Sequence, residues 1–109
     1  MSRKLPHYLR SERKRAGLSQ SDIAALLGDQ TVSRVSRYER RRRVPPLLTA
    51  LAYEAIFGKP VAELFGGTYA PIRAEVMRRA ALLAEKLNAG QLLQHDSRKG
   101  SIQAIATRQ

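Results

Sequence analysis

The chain has 109 residues, enough for one compact domain with an added helix or arm, and at 43% hydrophobic it is too apolar to be disordered throughout. Twenty Lys and Arg against nine Asp and Glu leave a net charge of +11, the electrostatic footprint of a polyanion partner. The absence of cysteine, two histidines (His7 and His95) far apart in sequence, and no apolar run near the roughly eighteen residues of a membrane span argue against disulfides, metal centres and transmembrane segments.

The first predicted helix covers residues 5–16, with Pro6 at a permitted first-turn position and Gly17 as its C-terminal stop. The basic residues before it have no apolar stretch behind them, so the opening ten residues do not read as a signal peptide, and a cytoplasmic protein is expected. Ser19 is a strong N-cap for a second helix, Asp22 favours its first turn, and Ile23, Ala24 and Leu27 fall on one face before Gly28. Thr31 caps a third helix whose apolar members are Val35 and Tyr38; Val32 lies on a neighbouring, more exposed face. Pro45 and Pro46 start a fourth helix, expected to be apolar at Leu47, Leu51, Ala55 and, on its flank, Ile56. Pro60 opens a short fifth helix over 60–65.

Gly66-Gly67 marks the one expected boundary, separating a domain over 1–66 from a long helix running to about residue 93. Ile72, Val76, Ala80, Leu83 and Leu87 make an apolar stripe along it, which either packs back on the bundle or joins two copies. A helix of about twenty residues, roughly 30 Å, outreaches a sixty-residue bundle, which favours dimerisation. Residues 94–109 read as a polar tail; weak alternation at Ile102, Ala104 and Ala106 leaves room for a short exchanged strand.

The fold class expected is therefore all-α. Helices two and three, each of about nine residues and joined by a short polar turn, have the proportions of a helix-turn-helix, in which the second helix lies in the major groove of DNA. "GLSQSDIAALLG", "VSRYE", "RRVP", the Leu/Ala-rich helix and "ELF", in that order, resemble the phage-repressor and Cro-like (Xre-type) helix-turn-helix family over roughly residues 5–65. That resemblance implies a five-helix repressor-like domain and does not extend beyond Gly67, so the long C-terminal helix that follows rests on its own apolar stripe.

It also implies residue roles. Gln20 matches the family glutamine that contacts a DNA phosphate and braces the recognition helix. Thr31 is expected to cap helix three and touch phosphate. Val32, Ser33 and Arg37 match base-reading positions, and Arg34 lies between reading bases and holding phosphate. Arg37 is the best candidate for direct readout, because a guanidinium pairs both acceptors of guanine, whereas Val32 can meet only a thymine methyl. Arg13 and Glu39 match a partly buried structural salt bridge.

Arg40, Arg41, Arg42 and Arg43 follow the recognition helix. A helix C-terminus favours cations whatever the function, but four arginines there also suit a phosphate clamp, the reading adopted. The placement of positive charge agrees: residues 1–48 hold twelve Lys/Arg and four Asp/Glu, net +8, against eight and five, net +3, in the rest. The chain departs from the family pattern twice. Asp29-Gln30 makes the turn one residue longer than usual, and Arg41 stands where the family places a glycine, so either helix three runs on or Arg41 is left-handed.

No constellation for catalysis accompanies Glu39, so an enzyme is not expected, nor is a cofactor or metal. The function expected is a homodimeric transcriptional repressor reading a palindromic operator on double-stranded DNA through helix three, about residues 31–41. The alternative is a DNA-binding antitoxin or phage-type accessory factor whose C-terminal helix binds a protein partner.

Overall fold

The computed structural model describes residues 8–28, 30–90 and 96–108, and within them the chain is all-α, with seven helices and no strand. The helices are α1 (Leu9–Ala16), α2 (Gln20–Leu26), α3 (Val32–Glu39), α4 (Leu47–Phe57), α5 (Val61–Leu64), α6 (Gly66–Gly90) and α7 (Asp96–Ala106). The expected start of the first helix at residues 5–7, Asp29 of the turn and residues 91–93 lie outside the described residues.

Local chemistry sets most of the boundaries. α1 ends at Gly17, left-handed at φ 76°, and the N–H groups of Gly17 and Leu18 return to Lys14 and Arg13. α2 opens on a full capping box: the Ser19 hydroxyl accepts from the Asp22 N–H at 3.0 Å, and the Asp22 carboxylate accepts from the Ser19 N–H at 2.8 Å. The Thr31 hydroxyl accepts from the Arg34 N–H at 3.0 Å and caps α3. Pro46 and Pro60 stand at the N-caps of α4 and α5, where a missing N–H costs nothing.

The chain divides into two compact units, one through Tyr69 and one from Ala70. In the first, Leu9, Ile23, Ala24, Val35, Tyr38, Tyr53 and Leu64 form the core, with Leu18, Leu27, Ile56, Phe57 and Phe65 packed against it. Five helices thus share one apolar centre, and each fully buried aliphatic contributes about 1.5–3 kcal/mol. The Tyr38 ring meets Tyr53 edge-on at 6.3 Å, and Tyr53 stacks on Phe57 at 6.0 Å.

Those rings correct the expected face of α4. Thr49, Ala50 and Tyr53 turn inward, while Leu47, Leu51 and Ala55 stay exposed; Ile56 is half-buried. Nearly every residue of α4 is apolar, so periodicity does not mark the inner face, and the aromatic contact decides it.

Gly66 and Gly67 are the opening residues of α6 rather than a break, because Phe65 passes directly from α5 into the next helix: its carbonyl accepts from the Thr68 and Tyr69 N–H groups. The division falls at Tyr69/Ala70, just before Pro71, which removes the N–H that would bond the Gly67 carbonyl. In the second unit, Ala80 and Leu87 are buried, whereas Ile72, Val76 and Leu83 are 57, 45 and 38% exposed.

Residues 96–106 form α7, not an extended strand. The half-buried residues are Ile102, Ile105 and Ala106, a helical spacing that replaces the 102-104-106 alternation. Arg73 of α6 donates to the Arg108 carbonyl, just past α7, at 3.0 Å.

Candidate nucleic-acid interface

α3 is amphipathic. Val35 and Tyr38 anchor it in the core, so the opposite side, Ser33 and Arg37, faces outward one helical turn apart, with Val32 exposed beside them. Arg34 is half-buried and flanks that face. All four expected base-reading residues thus lie on or beside the surface of a helix held from behind.

The residue before Thr31, Gln30, anchors the approach to α3. Its N–H donates to the Ala24 carbonyl at 3.1 Å, its amide oxygen accepts from the Tyr38 hydroxyl at 3.5 Å, and its amide nitrogen lies 3.5 Å from the buried Thr49 hydroxyl. Gln30 thus places a polar contact between the start of α3 and the core; nothing in the sequence marks Gln30 for it.

Glu39 fixes the far end of α3. Arg13 Nε donates to one carboxylate oxygen at 2.6 Å and Arg13 Nη2 to the other at 3.0 Å, a two-pronged pair whose side chains are only 12% and 3% exposed. Gln20 Nε2 donates to the same carboxylate at 3.1 Å, and Arg13 Nη1 reaches the Leu18 carbonyl at 3.1 Å. One carboxylate therefore joins α1, α2 and α3. The Glu39 carboxylate raises the Arg13 pKa further, so this cation stays charged. Removing one partner of such a buried pair costs about 3–5 kcal/mol, because the other charge is stranded.

Arg41 takes the left-handed conformation, φ 61°. Its N–H donates to the Tyr38 carbonyl at 3.0 Å, and the Arg42 N–H donates to the Arg37 carbonyl at 2.9 Å. This is the paired C-terminal cap usually built on glycine, so α3 stops at Glu39 and does not run on. An arginine there costs about 1–2 kcal/mol relative to glycine.

The Arg run then splits. Arg40 and Arg41 line a polar cleft of about 380 Å³ together with Arg10, Arg13, Gln20, Ser36 and Glu39. Arg42 and Arg43 are exposed on the loop that follows. Arg10 escaped the sequence reading, although its position three residues before Arg13 puts both on one face of α1. The cleft gathers four guanidinium groups around one carboxylate, an environment suited to an anion and lacking any paired acid and base for chemistry.

Among the described residues, no group of His, Cys, Asp or Glu is placed to hold a metal ion, and no helix is long and apolar enough to cross a membrane. A helix-turn-helix family of Cro/C1 type (HTH_3) matches residues 9–64, from the first residue of α1 to the last of α5. Neither curated proteins nor solved structures give a match. The matched segment spans just over half of the chain and contains α2, α3 and the whole Arg run, so the first unit carries a DNA-binding domain. The chain belongs to the Cro/C1-type helix-turn-helix family.

Proposed function

We propose that this chain is a sequence-specific transcriptional regulator, a homodimeric repressor that reads a palindromic operator through α3. The observation that carries the reading is the exposed Ser33–Arg37 face of a helix braced on its other side by Tyr38 and Glu39. Arg37 pairs a guanine edge, Ser33 and Arg34 supply adaptable polar contacts, and Val32 meets a thymine methyl. Arg40, Arg41, Arg42 and Arg43 hold phosphates beside them, with Gln20 and Thr31 fixing the register.

The dimer joins through α6. Of the stripe along that helix, Ile72, Val76 and Leu83 are exposed and serve the interface directly; Ala80 and Leu87 are buried and support it from beneath. Two joined copies make the second half-site contact intramolecular, which raises affinity without new base contacts. A regulator of this kind acts inside the cell and needs no cofactor.

Selection of bound duplexes from a random pool, with light scattering on the same preparation, tests the reading. A dimer and a two-fold symmetric recovered motif are expected. A dimer that recovers no motif would remove sequence-specific reading. A monomer would favour the second reading, a DNA-binding antitoxin or accessory factor that offers the exposed Ile72, Val76 and Leu83 to a different protein.

A further inference from the structure

The cleft beside α3 is larger and more strongly charged than a DNA phosphate requires. Its volume of about 380 Å³ falls within the range of small-molecule sites, whereas a backbone phosphate is one tetrahedral group bearing a single negative charge. Its walls carry four guanidiniums and one carboxylate, net +3. That carboxylate, Glu39, is already held at both oxygens by Arg13 and at one by Gln20. It is therefore neutralised within the wall, and Arg10, Arg40 and Arg41 set the field inside the cleft.

Arg41 reaches this cleft from a backbone conformation that favours glycine, φ 61°. A side chain kept beside a site at a conformational cost points to a role in that site. Ser36 adds a hydroxyl and Gln20 a carboxamide, and no lining residue is aromatic or aliphatic. Such walls grip phosphate oxygens through charge-assisted hydrogen bonds. They give a base or a hydrocarbon nothing to stack on. The ligand that matches them carries adjoining phosphates, and the rest of its structure adds little to its binding.

We propose that the cleft of Arg10, Arg40 and Arg41 binds a short phosphoanhydride chain, as free pyrophosphate or as the phosphate tail of a nucleotide, and that this ligand and the DNA backbone exclude one another there. Bound ligand thereby lowers the share of the chain held on DNA. The proposal rests on the DNA-reading function above, because the backbone phosphate at Gln20 is the competitor.

Titration calorimetry on the full chain at fixed ionic strength, with inorganic pyrophosphate, ADP and AMP, tests the site. Pyrophosphate and ADP should each bind once per protomer within about threefold of one another, and AMP about tenfold more weakly. Arg10→Ala with Arg40→Ala should weaken pyrophosphate binding about tenfold or more. Lys14→Ala with Arg15→Ala, which removes two exposed cations of α1 outside the cleft, should stay within about twofold. On the selected duplex, saturating pyrophosphate should weaken binding about tenfold beyond sodium chloride of the same ionic strength. Equal losses in the two double variants, or an effect on DNA that sodium chloride reproduces, would mean diffuse screening and overturn the site while leaving DNA reading intact. ADP bound more than about tenfold tighter than pyrophosphate would place recognition outside these polar walls and overturn the assignment. If the Arg10 and Arg40 double variant fails to fold, the amide NMR signals of Gln20 and Ser36 in the unaltered chain decide instead. Their shift on adding pyrophosphate supports the cleft, and unmoved signals overturn it. A chain that takes pyrophosphate but binds no duplex would overturn the functional reading and the competition with it.

Discussion

At the scale of single residues, Arg41 sets stability against function. Glycine would take φ 61° without strain, whereas an arginine side chain in the left-handed region is disfavoured. Arg41→Gly should therefore raise stability by about 1 kcal/mol in thermal or denaturant unfolding. The same variant should bind DNA more weakly, because the cleft beside Gln20 loses a cation. A variant that is both less stable and equally tight in binding would contradict this assignment. Two carboxylates predict the acid response. Lys59, at 2.8 Å, holds the Glu12 pKa below its usual 4.5, and the hydrogen bonds from Ser19 hold Asp22 below 3.8. Both bind protons less readily folded than unfolded, so their stabilisation is complete above the ordinary carboxylate range and is lost as pH falls through the lowered folded values. Melting temperature should drop between about pH 5 and about pH 2, and Asp22→Ala should shrink that drop while lowering stability at neutral pH. An unchanged descent in Asp22→Ala would remove the capping box as its source.

At the scale of elements, α2 and α3 were legible because their ends are written in side chains: Ser19, Asp22 and Thr31 each make the hydrogen bond their position predicts. Val35 and Tyr38 likewise stood out as an apolar pair three residues apart, with Val32 set off on a neighbouring face. α4 was not legible in the same way, since a helix apolar almost all round gives no contrast between its faces. Gly66-Gly67 reads as the start of the long helix region, and α6 does open there, because the carbonyl of Phe65 is placed to start it; the division into units falls later, at Tyr69/Ala70. The Arg41 cap was narrowed by sequence to two alternatives, and only the backbone decides between them. The α6 stripe divides into covered and open members, and that division makes a prediction. Val76→Glu with Leu83→Glu should give monomers that remain folded, by loss of apolar area from the interface. Leu87→Glu should instead lower thermal stability, because it puts a charge at a buried position. Light scattering and a melting curve on each variant separate the two, and a double variant that stays dimeric would move the interface off this helix.

At the scale of the whole molecule, the charge asymmetry and the fold agree. The net +8 of residues 1–48 belongs to the unit that carries α3, and Arg10, Arg37 and Arg40–Arg43 are all drawn from it. Binding should weaken steeply with salt, each neutralised phosphate adding a slope of about −0.9 in log K against log salt concentration. Arg42→Ala with Arg43→Ala should flatten that slope and leave base preference unchanged; an unaltered slope would mean that these exposed arginines meet solvent alone. On the function proposed, α3 reads sequence through Arg37, and this is tested most directly by comparing the unaltered chain with Arg37→Ala on its selected site and on each single-base variant of it. Arg37→Ala should bind the selected site about 1–3 kcal/mol more weakly and lose discrimination at one position per half-site, while keeping it elsewhere. Equal weakening on every duplex would contradict that claim and leave Arg37 as one more phosphate contact.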